Sequence, residues 1–144
     1  MTDAARRILL AILLLGLVGI SAELVLLNHI EDFYQLIPVY LSGAAVLTAA
    51  LVGLRPSTGT VRLFQAVMVL LMLSGAIGMV LHFQVTMEFQ LEMDPSLAGM
   101  ALFRKAIVAK APPALAPGAM TQLGLIGLAY TFRHPAITHR NGVR

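Results

Sequence analysis

Cysteine and tryptophan are both missing from this 144-residue chain, and only 12% of its residues are charged. Without cysteine there can be no disulfide, thiolate zinc site, CxxC redox pair or cysteine nucleophile, and thiol–quinone chemistry is excluded with them. The charge content is about half the ~25% of an ordinary soluble domain. So few charges also exclude charge-driven disorder and a basic nucleic-acid surface, so no nucleic-acid partner is expected despite the net charge of +3. The GxSxG elbow, the P-loop and the GxGxxG fingerprint are absent too.

What the chain has instead is apolar surface: 58% hydrophobic residues and a mean hydropathy of +0.85. A run of about 18 or more apolar residues with few charges is long enough to cross a bilayer as a helix. Four runs qualify, at about 8–27, 36–54, 63–83 and 113–132. The fourth is diluted by Pro117, Gly118, Thr121, Gln122, Gly124 and Gly127. The expected fold is an all-α integral membrane protein. It is a single membrane domain over 1–144, a bundle of four transmembrane helices with a long outer loop at 84–112.

Arginine and lysine set the expected orientation. Arg6, Arg7, Arg55, Arg62, Arg133, Arg140 and Arg144 fall on one side of the four spans, and only Arg104, Lys105 and Lys110 on the other. Both termini are therefore expected in the cytoplasm, with every acidic residue except Asp3 at or beyond the opposite face. Eight arginines against two lysines, with abundant Ala, Leu and Gly, match a GC-rich bacterial coding bias. The expected location is the bacterial inner membrane, with the opposite face periplasmic. The first span imitates a secretory signal. The cleavage position after Ala22 is poor and apolar residues run on to Leu27, so the span is expected to be retained.

The outer loop is too long to be left structureless. Val85, Met87, Phe89, Leu91 and Met93 alternate with Thr86, Glu88, Gln90, Glu92 and Asp94, and a period of two reads as a half-buried extended segment. The rival is a continuation of the third span as helix, which would stack Glu88 and Glu92 on one face; the extended reading is preferred. Asp94-Pro95 then has the form of an N-cap followed by proline at the first helical position. Leu97, Met100, Phe103 and Ile107 recur at helical spacing, which predicts a short interfacial helix of about 15 residues.

Small residues are expected to let the helices approach, because lipid gives apolar side chains no reason to associate. Such stripes are Ala45, Ala49 and Gly53 on the second span, and Ser74, Gly75 and Gly78 on the third. Gly16 and Gly19 mark the first, and Gly124 and Gly127 the fourth.

Three residues are candidate site groups. Glu23 is a carboxylate inside an apolar run, which costs about 2.5–3.5 kcal/mol on insertion scales. Its spacing from Gly16 and Gly19 places it on their face, pointing into the bundle. His29 ends the first span and His82 the third, on the same side of the membrane. With Glu31, Asp32, Glu88 and Glu92 as neighbours, this set has the chemistry of a divalent metal site, and the thioethers of Met79, Met87 and Met93 would favour copper. His134 and His139 lie among arginines at the other end and are expected to be solvated. The leading functional expectation is a non-catalytic accessory or structural subunit of a larger membrane complex, partnered by lipid and by other membrane subunits or further copies of itself. A metal-binding protein or metalloenzyme using Glu23, His29 and His82 is the alternative, and a proton-coupled transporter using Glu23 the third.

Overall fold

A computed structural model describes residues 2–108 and 115–138, and every regular element among them is helical. The order is α1 (Asp3–Leu26), α2 (Phe33–Leu54), α3 (Thr58–Met93), α4 (Gly99–Ile107), α5 (Leu115–Tyr130) and α6 (Pro135–Thr138). Polar residues at the helix starts satisfy first-turn N–H groups that have no partner within the helix. The Thr2 hydroxyl accepts from the Ala5 N–H at 3.3 Å. Ser57 and Thr60 form a reciprocal capping box at the start of α3.

Three helices are long and apolar enough to cross a membrane: α1, α2 and α3, with mean hydropathy of 2.6, 1.9 and 2.2 over their best windows. The fourth expected span is represented by the 16 residues of α5, about 24 Å of helix against a hydrocarbon core of about 30 Å. Residues 113 and 114 of that span lie outside the described residues, as do Lys110, His139, Arg140 and Arg144.

α1 packs on α2 and α5, and α3 packs on the same two helices, with the α3–α5 contact the most extensive. Contacts at the helix ends fix the directions. Arg6, at the start of α1, donates to the Tyr130 carbonyl at the end of α5 (2.8 Å). Thr58, at the start of α3, donates to the Ala136 carbonyl (2.7 Å). His29, just past α1, meets His82 of α3 at the other end. Neighbouring helices therefore run antiparallel. Leu13, Leu17, Ala45, Ala49, Phe64, Met68 and Leu71 are fully buried between them, while Leu15, Leu47, Leu54, Ile77 and Leu125 face outward. A soluble monomer rarely exposes contiguous apolar surface on this scale.

The α3–α5 seam depends on three glycines. A Cβ at Gly75 would fall on the Pro117 carbonyl oxygen and 2.7 Å from the Thr121 backbone nitrogen. One at Gly124 would lie 2.7 Å from the Met68 carbonyl oxygen, and one at Gly127 would overlap the Met68 sulfur. Gly16 and Gly53 meet only side-chain ends, of Leu123 and Leu10. Gly19 differs from expectation: it is exposed, with nothing within 4 Å of where its Cβ would be.

The outer loop also departs from expectation. Residues 85–93 are not extended but continue α3, which runs for 36 residues without a break, about 54 Å. Alternation misleads here because four is an even number: a period-two pattern repeats at i+4 and so also sorts cleanly onto helix stripes. Met87 and Leu91 are partly covered, whereas Val85, Phe89 and Met93 form an exposed stripe beside exposed Glu88 and Glu92. Lengthening an existing helix incurs no nucleation cost, whereas a lone strand would leave its backbone unpaired. α4 is likewise shorter than expected, at nine residues. The Asp94 carboxylate accepts from the Ser96 N–H (3.2 Å) and hydroxyl (2.6 Å), and the Leu97 N–H bonds back to the Asp94 carbonyl (3.2 Å). Asp94-Pro95 thus closes a turn with proline at its second position, and the helix starts only at Gly99.

The seam predicts opposite outcomes for two formally identical changes. Gly124→Ala should destabilise the protein by about 1–3 kcal/mol, because its methyl group meets backbone that cannot move aside. Gly43→Ala, whose Cβ would meet nothing within 4 Å, should be neutral or stabilising through helix propensity. Thermal unfolding in mild detergent compares them; equal melting temperatures would refute the seam.

Candidate functional site

The histidine end is built by the way α1 stops. Leu27 and Asn28 donate to the carbonyls of Glu23 and Val25, and the His29 N–H reaches back to the Leu24 carbonyl at 2.9 Å. Asn28 takes the left-handed conformation (φ 52°) that this closure requires, a role asparagine fills with less strain than most residues. The turn folds His29 back towards the helices instead of letting it trail into the next connection. Its imidazole lies against His82, ring centroids 6.2 Å apart and planes inclined by 23°.

Each partner is held on its own side. The Asn28 side chain donates to the Glu31 carboxylate (3.3 Å), and the Glu31 N–H donates to the Gln35 side chain (3.0 Å). This leaves Glu31 engaged in the turn that leads into α2. On α3, the Thr86 hydroxyl donates to the His82 carbonyl (2.7 Å). His29 is half-buried and His82 exposed. Burial first, and the neighbouring His82 second, lower the His29 pKa below 6.5.

The structure brings His29 and His82 together but leaves Glu23 elsewhere. Glu23 is exposed, as is Gly19 one turn before it. Of the small residues used to place it, Gly16 packs against Leu123 of α5 but Gly19 faces open space, and Glu23 is exposed with Gly19. Glu88 and Glu92 are exposed on the part of α3 beyond His82, the first about 9 Å further along the axis. Asp32 caps α2 by position alone, without a side-chain hydrogen bond. Among the described residues, no three His, Cys, Asp or Glu side chains converge as a group able to hold a metal ion.

The opposite end holds a cluster that the sequence reading did not assemble. His134, expected to be solvated, is only 5% exposed. Its Nδ1 accepts from the Ala136 N–H (3.3 Å), and its ring lies 5.7 Å from that of Tyr130. Burial, and secondarily the Arg6 charge, lower its pKa below 6.5. The sequence places Arg6 and His134 on one side, but only the antiparallel packing of α1 on α5 makes them neighbours.

Both histidines titrate with the same sign. Unfolded, each takes up a proton near 6.5; folded, each resists until lower pH. Their contribution is complete above about pH 6.5 and is lost as the pH falls through the depressed folded-state values. Acidification from about pH 7.5 to 5 should therefore lower the melting temperature, and His29→Gln should reduce that slope, leaving the part due to His134. An unchanged slope in His29→Gln would remove the burial of His29 as a cause.

No protein-family model, curated protein or solved structure matches the chain.

Proposed function

We propose that the chain is a non-catalytic accessory subunit of a membrane complex, with α1, α2, α3 and α5 embedded as an antiparallel four-helix bundle. The bacterial inner membrane, with both termini in the cytoplasm, is the proposed setting, supported by arginines gathered at one end of the helices and by carboxylates at the other. The observation that carries the reading is the outer end of α3. Beyond His82 the helix continues for eleven residues, about 16 Å. It presents Val85 (64% exposed), Phe89 (56%) and Met93 (71%) as one stripe flanked by Glu88 and Glu92. An apolar stripe beside an acidic one on a projecting helix has the anatomy of a protein-binding face: a partner ridge covers the first, and basic groups meet the second. The outward-facing Glu23 supports the same reading, because a carboxylate on the outer face of an apolar helix is better accommodated by a partner's donor than by lipid.

Extraction in mild detergent should yield the chain with its partner at fixed stoichiometry. Phe89→Ser should release that partner while changing the melting temperature of the chain little, since more than half of Phe89 is exposed. Recovery of the wild-type chain only as a free monomer would overturn the proposal.

The approach of His29 to His82 favours a second reading, a metal ion shared by the two imidazoles with the remaining positions filled from outside this pair. The rings lie near-parallel at a centroid separation of 6.2 Å, so binding one ion with metal–nitrogen bonds of about 2.0–2.1 Å requires each to turn a nitrogen towards it. Titration with zinc and with Cu(I), followed by elemental analysis, should show uptake that His82→Gln abolishes. Absence of uptake by the wild-type chain at neutral pH would eliminate it.

A further inference from the structure

At the arginine end, the start of α1, the end of α2 and the segment from Tyr130 to Ala136 surround an open groove of about 490 Å³. Arg6 and Arg7 line it together with Asp3, the single carboxylate, and with Leu10, Val52 and Gly53 as an apolar wall. His134 also borders it, and its lowered pKa keeps the imidazole uncharged near neutral pH. The groove is therefore positive on balance at its rim and apolar below.

Arg6 is the unusual member. Its Nη1 donates to the Tyr130 carbonyl (2.8 Å) and its Nη2 to the Arg133 carbonyl (3.4 Å). Its guanidinium carbon lies 5.8 Å from the centre of the Tyr130 ring. These contacts fix the guanidinium in one orientation, with no carboxylate among the described residues paired to it. Its Nε is buried without any hydrogen-bond partner, the only such side-chain atom among the described residues. A cation already held in place loses little further freedom when it binds an anion. Arg7, exposed on the next position of α1, adds a second guanidinium.

We propose that this groove binds the phosphate of an anionic phospholipid, with the Arg6 and Arg7 guanidiniums on the headgroup and an acyl chain lying along Leu10 and Gly53. Arginine matches phosphate oxygens through paired N–H donors, which the exposed Arg7 can offer, while Arg6, whose Nη atoms serve two carbonyls, adds its charge. Basic pockets between the ends of membrane helices are suited to lipid headgroups. The apolar wall distinguishes a lipid from free phosphate, which would gain nothing from Leu10. The proposal uses the membrane placement of the helices but not the accessory role.

The test is a thermal-shift and native mass-spectrometry comparison of the full chain, purified in detergent, with phosphatidylglycerol, phosphatidylcholine or inorganic phosphate added. Phosphatidylglycerol should raise the melting temperature and remain bound, while the other two should do neither. Arg7→Gln should weaken phosphatidylglycerol retention about fivefold, the worth of one basic residue near an anionic surface. Arg62→Gln, at the same end but outside the groove, should leave it unchanged. Arg6→Lys should weaken retention as well; Arg7→Gln decides the matter if that variant does not fold. Equal retention of the two lipids, wild-type retention by Arg7→Gln, or an equal shift from inorganic phosphate would each overturn the lipid assignment. A chain recovered in the soluble fraction would instead refute the membrane placement.

Discussion

Backbone-to-backbone approach along the α3–α5 seam is the constraint on which the rest of the molecule depends. In an apolar surrounding, side-chain burial gives little preference for one helix neighbour over another, so close packing has to supply the specificity. Gly75, Gly124 and Gly127 supply it by letting the Met68 carbonyl and the Pro117–Thr121 backbone come within reach of the facing helix. With that seam closed, the end of α5 lies where Arg6 can reach its terminal carbonyls and where Thr58 can bond Ala136. α3 is held with His82 level with the end of α1. The two clusters at opposite ends of the helices both follow from one close contact between them.

How much of this was legible in the sequence depended on how local the cause was. Helical runs and the glycine faces of α3 and α5 follow from composition and spacing, and the structure has them. The pairing of His29 with His82 was legible as well, since two spans ending on the same side bring their last residues to one level. The direction of Glu23 was not. Its face was inferred from Gly16 and Gly19, but Gly16 sits against Leu123 while Gly19 faces open space. Seven positions turn a helix only about 20° from its starting direction, so Gly16 and Glu23 share a side but lie about 10 Å apart along the axis, and small size alone cannot say how far along that side a neighbouring helix covers it.

The outer segment shows a different limit. A strictly alternating sequence fits a strand and also, by parity, a helix with separate apolar and polar stripes. The choice is made by context, not by pattern. α3 already exists upstream, no second strand is present among the described residues, and Met, Glu, Gln and Leu are all good helix formers. Likewise, Asp94-Pro95 carries the residues of a helix start, yet the same carboxylate can close a tight turn on Ser96. The turn wins because Ser96 supplies both an N–H and a hydroxyl to it, so the helix signal was spent on reversing the chain.

That reversal determines how firmly the projecting end is held. α4 returns against α3 through buried Leu102 and Ala106 and through the edge-to-face contact of Phe83 with Phe103, ring centroids 5.5 Å apart. The ion pair between Lys105 and Asp94, at 3.7 Å, joins two side chains that are 52% and 41% exposed, a setting in which such pairs contribute about 0–1 kcal/mol. Two small buried contacts and one aromatic pair are a slight anchorage compared with the glycine seam. α4 is therefore held less firmly than α5, and it covers the side of α3 that carries Phe83, leaving Val85, Phe89 and Met93 exposed on the other side.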